Sequence, residues 1–403
     1  EIPFSLEVGP LNVTIYPWDP VHRQYGLAGR GTRVLTATCK GGCIDRRERP
    51  VDPEQPLVVK IYWPDASRQS EVDLVDEVLE AASECGDLVT PEHMPRIFAT
   101  QDYEELKTDR IRGLLNIHYR TSKVSSKEGY VQSESQVVGS RVLRLVVSEI
   151  LHNAEEALQQ PLRCFMTVFF ESQKCHFNAW RYGIHHNDLS LPNLMWRYDM
   201  ESKRVTGVLN DWDLGVGKKS RHADHGGVTG TVPFMSIDLL DHPLGGTPHL
   251  YRHDLEAMTW ILTWAFLVYR RIPREEASAT FDQGVTPRAR QRADMPSELR
   301  DWLINDYATC ARNKTHFLGS LVYRPPEPAE DFQEGWKLTV KLLYLLKEER
   351  HIRFKLVAGK HMSYEQEPDD PEKYLRSQWE VIEAHVDETG KLRYLLDLKP
   401  DEL

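Results

Sequence analysis

The fold of this chain is decided by the stretch His185-His186-Asn187-Asp188-Leu189-Ser190-Leu191-Pro192-Asn193 and, further along, by Asp211-Trp212-Asp213. Together they supply a carboxylate, an amide and a second carboxylate, which are the side chains that a phosphoryl-transfer site uses. Asp188 would orient an acceptor hydroxyl and take its proton. Asn193 and Asp211 would ligate Mg²⁺, because this ion prefers hard oxygen atoms. The pattern therefore predicts metal-assisted phosphoryl transfer.

Two other interpretations of the motif stay open. In the first, His186 and Asp188 only cap or brace a loop. In the second, His185, His186, Asp188 and Asp211 form the metal cluster of a hydrolase. Adjacent histidines in a loop rarely converge on one ion, and no further His or Asp has the spacing to complete such a site. Phosphoryl transfer is therefore favoured over the hydrolase.

Length and composition limit the class of protein. With 403 residues, two lobes or one enlarged domain are expected. The net charge of −11 and the lack of a basic block argue against nucleic acid or a membrane surface as the main partner. The longest apolar stretch, Met258 to Tyr269, is too short to cross a bilayer. The chain begins at Glu1 without an initiator Met, which is compatible with an excised piece, and its oligomeric state is left open.

The cysteines indicate a compartment. Six of them occur without a CxxC pair or a matching His spacing, so neither a zinc site nor a disulfide framework is predicted. Reduced thiols are typical of the cytosol and the nucleus, and we expect an intracellular protein of one of these two compartments.

Strand-like patterns come first in the chain and helix-like patterns second. Strands and turns are predicted from about 11 to 62, then a helix from about Arg68 to Ser83, and then strands at Ile111 to Tyr119 and Val142 to Val147. Between these two strands, Thr121 to Ser135 is expected to be a solvated loop. Helical patterns follow at about Leu162 to Trp180, Leu255 to Tyr269, Pro296 to Lys314, Phe332 to Lys347 and Pro371 to His385. The order predicts a two-lobed α+β chain, with lobes 1–147 and 148–403.

A lysine and a glutamate in the first lobe are predicted to pair. Lys60 ends an alternating strand, so its ammonium could reach a phosphate, although a solvated edge lysine is the alternative. Glu71 shares the apolar face of the following helix and points inward, where a carboxylate needs a cation. Glu77 and Glu80 fall on the polar stripe, so we expect solvated charges there and keep them only as fallback partners.

A glycine-containing stretch precedes the lysine strand. Gly26 to Val34 includes Gly29 and Gly31, and it could cover a phosphate, since glycines let backbone N–H groups approach oxygen atoms closely. The spacing is irregular for a nucleotide loop, and glycines between strands usually form only a hairpin turn.

Two motifs follow the second carboxylate. Thr229-Gly230-Thr231-Val232-Pro233-Phe234-Met235 contains a threonine, Thr231, that could hydrogen-bond the catalytic carboxylate or merely form a turn. His253-Asp254-Leu255-Glu256 begins a helix that is apolar on nearly all faces and must be buried. Asp254 there suits the helix dipole, but a buried Asp can also hold a neighbouring loop.

In order and spacing, these motifs resemble the eukaryotic protein-kinase fold, and most of all the fungal-type protein kinases. The resemblance covers about residues 25 to 270. It implies an α+β, two-lobed protein-kinase-like fold, with a small antiparallel-sheet lobe and a larger, mainly helical lobe. It also implies ATP and Mg²⁺ as cofactors and a protein substrate phosphorylated on Ser or Thr.

The resemblance also implies roles for individual residues. ATP contacts are expected from Gly29, Gly31, Val34 and Lys60 and, around a hinge at Ser148 to Leu151, from Glu149 and Leu151. Glu71 would be the helix partner of Lys60. Asp188 would be the catalytic base, with Ser190 and Thr231 beside it, and Asn193 and Asp211 would be the Mg²⁺ ligands. Asp254 would brace the catalytic loop, and Asp238 would end the activation segment.

Three residues depart from the kinase pattern. Asn187 replaces an arginine that grips a phosphorylated activation loop, Ser190 replaces a lysine that touches the γ-phosphate, and Asp213 replaces a glycine. Loss of the cation at Ser190 could remove transition-state stabilisation. A pseudokinase scaffold is therefore one alternative to a protein kinase, and a small-molecule phosphotransferase is the other.

Overall fold

The computed structural model describes residues 2–23, 30–39, 41–115, 140–218, 229–243, 247–271, 295–304, 306–323, 325–359 and 367–400. These residues form two compact units. The first unit consists of 1–72 and 95–150, and the second of 73–94 and 151–403. Gly29 and the predicted loop from Thr121 to Ser135 lie outside the described residues.

A curled six-stranded antiparallel sheet makes up most of the first unit. Its strands run β1 (Phe4–Val8), β2 (Leu11–Arg23), β3 (Arg33–Cys39), β4 (Leu57–Tyr62), β5 (Ile97–Tyr103) and β6 (Leu143–Glu149). They lie side by side in the order β1-β2-β3-β4-β6-β5. Alternating apolar residues bury one face of the sheet in a core that includes Val13, Leu35, Val59 and Val147. Helix α1 (Glu71–Cys85) follows β4.

One strand predicted for the first unit is wrong. The structure forms helix α2 (Thr108–Leu114) where the sequence predicted a strand from Ile111 to Tyr119. Ile111, Leu114 and Leu115 are spaced three and four residues apart, which is a helical period rather than a strand period. Residues 116–119 lie outside the described part. The strand β5 was not predicted.

Helices dominate the second unit. A three-stranded sheet is formed by β7 (His152–Asn153), β8 (Leu194–Asp199) and β9 (Arg204–Leu209). The helices are α3 (Ala154–Gln159), α4 (Leu162–Arg181), α5 (Ile237–Asp241), α6 (Tyr251–Val268), α7 (Ser297–Arg300), α8 (Tyr307–Ser320), α9 (Gln333–Ala358) and α10 (Pro371–Thr389). Every residue of α6 is buried, as predicted for a helix that is apolar on nearly all faces. No helix among the described residues has both the length and the hydrophobicity needed to cross a membrane.

The helix predicted from Pro296 to Lys314 is divided in the structure. Helix α7 ends at Arg300, a short 3₁₀ helix follows at Asp301–Leu303, and α8 begins at Tyr307. Asp306 starts the new helix because its side chain accepts a hydrogen bond from the N–H of Thr309 at 2.6 Å. This division determines where the helix that carries Lys314 begins.

Candidate active site

A buried histidine fixes the catalytic loop, His185–Asn193, in the second unit. The N–H of Asp188 donates to Nδ1 of His186 at 3.3 Å, so Nε2 carries the ring proton and donates to the Asn210 carbonyl at 2.9 Å. Burial lowers the pKa of His186 and favours this neutral form. His186 therefore links Asp188 to the end of β9, immediately before Asp211.

Asn193 has a fixed orientation beside the same loop. Its side-chain nitrogen donates to the Asp188 carbonyl at 2.8 Å, and its own carbonyl accepts the N–H of Asn210 at 2.9 Å. Because the amide nitrogen is used in this way, the amide oxygen is the atom left to bind a cation. Asp211 has a left-handed backbone, with φ of 61° and ψ of 64°. An amide oxygen and a carboxylate form a donor set that suits Mg²⁺.

The residues after Asp211 pack tightly against the catalytic loop. Trp212 is fully buried, and its ring meets His186 edge-on with 4.8 Å between centroids. His185 and Val216 exchange two backbone hydrogen bonds of 2.8 Å. A Cβ atom at Gly215 would lie 3.0 Å from the carbonyl oxygens of His185 and Trp212. Only glycine allows this close approach without a shift of the backbone.

The Gly-Thr segment, defined here as Thr229–Asp238, contacts the catalytic loop through Thr231. The Thr231 hydroxyl donates to Oδ1 of Asp188 at 2.8 Å. The Thr231 carbonyl accepts the N–H groups of Phe234 at 2.8 Å and Met235 at 3.3 Å, which closes a turn. Gly230 has a φ of +145°, a conformation that L side chains rarely adopt. The predicted contact between Thr231 and the carboxylate is therefore present.

Two arginines hold the other end of the Gly-Thr segment. Asp238 accepts from Arg252 at 2.7 Å and from Arg350 at 2.6 Å, and Arg252 also donates to Glu367 at 2.7 Å. Burial alone would raise the pKa of Asp238, but the charges of Arg350 and Arg252 outweigh burial and hold this pKa well below its usual range. The segment is therefore fixed by a buried ionic network.

Asp254 takes its hydrogen bonds from two histidines. Its carboxylate accepts from His176 of α4 at 2.9 Å and from His249 at 2.7 Å. The resemblance implied that Asp254 braces the catalytic loop. Within the described residues, its side-chain hydrogen bonds instead join the start of α6 to α4.

Two residues that depart from the kinase pattern lie inside the loop. Asn187 has a φ of 60°, a conformation that Asn tolerates better than most residues. Ser190 is buried and has an extended backbone. Its carbonyl accepts the N–H of Asn193 at 3.1 Å, which forms the turn that carries the amide.

Lys60 and Glu71 form an ion pair in the first unit. Nζ of Lys60 lies 2.8 Å from Oε2 of Glu71, and the two side chains are 14% and 5% exposed. The ammonium also lies 4.5 Å from the ring centroid of Tyr62. Val34 is directly opposite Lys60 in the sheet, in the β3–β4 register. The pair predicted from the helix pattern is thus present.

Gly31, Glu149 and Leu151 are the other described residues from which nucleotide contacts are expected. Gly31 has a left-handed φ of 60° and precedes β3. The Glu149 carboxylate is buried and accepts the N–H of Arg96 at 3.0 Å. The expected hinge at Ser148 to Leu151 includes the point, after residue 150, where the chain passes from the first unit to the second. Leu151 is buried.

The sequence interpretation of Glu77 was wrong. It predicted a solvated charge, but Glu77 is buried and its carboxylate accepts the N–H of Lys218 at 2.9 Å. The partner is a backbone group far along the chain, so the helix pattern alone gave no signal for it. Glu80 is exposed, as expected.

The sequence interpretation also missed Lys314. This residue is 0% exposed and donates to the Met235 carbonyl in the Gly-Thr segment. One signal was available, because Lys314 shares the apolar face of its helix with Cys310, Phe317 and Leu318. A lysine in that position needs a partner.

Two sets of features are typical of a protein-kinase-like fold. The second unit has a carboxylate and an amide in one loop and a second carboxylate after a short strand pair. The first unit has a six-stranded sheet with a Lys–Glu pair. The chain belongs to the fungal protein kinase family, whose model, described as fungal protein kinase, matches residues 11–266. None of the curated proteins matches the chain. The family supports a phosphotransferase activity and, in general terms, the use of ATP and a divalent metal.

Proposed function

We propose that this protein is an ATP- and Mg²⁺-dependent kinase that transfers the γ-phosphate to Ser or Thr hydroxyls of proteins. The observation that carries the proposal is the hydrogen bond between Thr231 and Asp188. It joins the carboxylate of the predicted base to a segment long enough to contact a peptide. A protein acceptor is therefore favoured over a small molecule, and the net charge of −11 argues against nucleic acid or a membrane surface as partner.

Asp188 is proposed to orient the acceptor hydroxyl and to accept its proton. Its carboxylate is fixed on one side by the Thr231 hydroxyl, and its backbone is fixed by His186 and Asn193. A base that is held in this way loses little entropy when the acceptor arrives. One carboxylate oxygen can receive the acceptor hydroxyl while the other keeps its bond to Thr231.

Asn193 and Asp211 are proposed as the metal ligands. The amide orientation of Asn193 leaves an oxygen for a hard cation, and Asp211 supplies a charged oxygen, so the residues fit Mg²⁺. When bound, the Mg²⁺–ATP complex supplies the phosphoryl group and offsets its negative charge. In the first unit, Lys60 is proposed to bind the ATP phosphates while the ion pair with Glu71 orients its ammonium.

Phosphate transfer from radiolabelled ATP to a generic protein substrate tests this function. Asp188→Asn should retain the thermal stabilisation by Mg²⁺–ATP yet lower transfer by roughly 10²- to 10⁴-fold, the usual contribution of a general base. Asp211→Asn should weaken the stabilisation itself, which amounts to about 2.7 kcal/mol when ligand is present at 100 times Kd. The exposed Asp397→Asn is the matched control and should match wild type.

The other outcomes identify the alternatives. A wild-type protein that is stabilised by nucleotide but never transfers phosphate would be a scaffold, in accord with the missing cation at Ser190. Transfer to choline or an aminoglycoside but not to protein would identify a small-molecule phosphotransferase. If Mg²⁺–ATP neither stabilises the wild-type protein nor supports phosphate transfer, the assignment of Asn193 and Asp211 as metal ligands is refuted.

A further inference from the structure

Lys314 is a buried lysine that contacts the Gly-Thr segment. It lies on helix α8, and its ammonium donates to the Met235 carbonyl. The nitrogen lies 4.9 Å from the ring centroid of Trp260 and 5.4 Å from that of Trp302. Two indole faces stabilise a cation that has been removed from water. A buried charge is costly, so its placement against a backbone carbonyl needs a physical explanation.

A chain of hydrogen bonds runs from Lys314 to the predicted base. Lys314 donates to the carbonyl of Met235, and the N–H of Met235 donates to the carbonyl of Thr231 at 3.3 Å. The Thr231 hydroxyl in turn donates to Asp188 at 2.8 Å. The position of Met235 therefore determines the position of the hydroxyl that fixes the Asp188 carboxylate.

Glu256 binds the same segment as a hydrogen-bond acceptor, whereas Lys314 binds it as a donor. Its Oε1 atom accepts the N–H of Ile237 at 2.7 Å and the indole N–H of Trp260 at 3.1 Å. The ammonium of Lys314 thus binds a carbonyl at position 235, and a carboxylate binds an amide at position 237. Charge-assisted bonds of this kind are stronger than neutral ones. The two bonds hold neighbouring residues of the segment, Met235 against α8 and Ile237 against α6.

We propose that Lys314 is a positioning residue for phosphoryl transfer, which holds Thr231–Ile237 so that Thr231 and Asp188 face the acceptor hydroxyl. The inference rests on the proposed kinase function. Lys314 lies beyond residues 11–266, which the family model matches, so the family assignment does not account for it. Its effect passes through Met235 and Thr231, and it does not touch the reacting atoms.

The pKa of Lys314 lies below that of an ordinary lysine. Burial lowers the pKa of Lys314 to about 8, although Cys310 on the same helix and Glu256 on α6 act in the opposite direction. Burial raises the pKa of the Cys310 thiol, so this group stays neutral in the same range. Above about pH 8 the ammonium loses its proton and the bond to Met235 loses its charge. We therefore expect wild-type kcat to fall above this pH.

Three variants test the inference: Lys314→Met, Lys314→Gln and the exposed-lysine control Lys355→Met. Lys314→Met should lower kcat for a protein substrate at least tenfold, because small displacements of positioned groups cost roughly 10- to 100-fold. KM for ATP should stay within about twofold, because the nucleotide ligands are untouched. Lys314→Gln keeps a donor without the charge, so its kcat should be intermediate and its rate should lack the alkaline decline. If Lys314→Met does not fold, Lys314→Gln serves as the test variant.

Amide hydrogen exchange of Thr231 to Ile237 supplies a measurement that needs no activity. Exchange should be faster in both Lys314 variants than in Lys355→Met. An active wild type with an unchanged kcat in the Lys314 variants overturns the inference and leaves the kinase function intact. If the wild-type protein transfers no phosphate, the proposed kinase function is refuted. Amide exchange alone then tests whether Lys314 holds the segment. In that case, unchanged exchange rules out Lys314 as the anchor of the segment.

Discussion

The catalytic loop and the Gly-Thr segment are fixed by different kinds of contact. In the loop, the bonds go to backbone carbonyls of the loop itself and of Asn210: the Asn193 amide donates to Asp188, and Nε2 of His186 donates to Asn210. In the Gly-Thr segment, the partners are charged side chains of three helices: Glu256 of α6, Lys314 of α8 and Arg350 of α9. The loop therefore carries its own geometry, whereas the segment receives its geometry from the rest of the unit. The proposed phosphoryl transfer to a protein would require both, and they meet at Thr231.

The largest effect is expected from removing the ionic anchor of the segment. Asp238→Ala leaves Arg252 and Arg350 without their shared carboxylate in a buried site. Breaking a buried pair in this way should lower the free energy of unfolding by about 3–5 kcal/mol. Chemical denaturation measures this loss, and Asp241→Ala, an exposed residue of the same short helix, is the control.

A double-mutant cycle sharpens the same test. If Asp238 and Arg350 interact directly, Asp238→Ala should cost less when Arg350 is already Met, because one of the two stranded charges is gone. Additive losses would show that Arg350 does not anchor the segment. The distinction between the two regions would then rest on Arg252, Glu256 and Lys314.

A smaller effect is expected from crowding the contact between Gly215 and the start of the catalytic loop. Gly215→Ala introduces a Cβ atom 3.0 Å from two carbonyl oxygens and from Cδ1 of Leu74. Its φ of −66° is ordinary, so the cost is steric, and overpacking of this kind should lower the free energy of unfolding by about 1–3 kcal/mol. In Gly319→Ala, no atom lies within 4 Å of the new Cβ, and the helical position should gain about 0.5–1 kcal/mol. Equal losses in the two variants would contradict the close packing of Gly215.

The difference between the two regions also explains what the sequence could predict. Local patterns predicted that Glu71 faces inward toward Lys60 and that α6 is buried on all sides, because helical period and neighbouring residues determine both. The helix pattern did not indicate that Glu77 binds the N–H of Lys218. At Ile111, a short apolar run predicted a strand where the structure has helix α2. Short runs are ambiguous because packing decides between helix and strand.

The anchors of the Gly-Thr segment show the limit of sequence reasoning most directly. Asp238 was expected to end the segment, but its partners Arg252 and Arg350 were not predicted. The sequences around Arg252 and Arg350 do not indicate that the two side chains bind the same carboxylate. Lys314 gave only a weak signal, a charged residue on an apolar helix face. These contacts depend on the packing of whole helices, which a single sequence does not reveal.

The smallest effect on stability is expected at the junction of the two regions. Thr231→Val keeps the shape of the side chain but removes the hydroxyl that donates to Asp188, at a cost of about 1 kcal/mol in the free energy of unfolding. The expected effect on kcat is larger, roughly tenfold, because the carboxylate loses the bond that orients it. Thr231→Ser retains the hydroxyl and should recover most of the rate. If Val and Ser variants have the same kcat, the hydroxyl does not transmit the position of the segment to Asp188, and the two regions act independently.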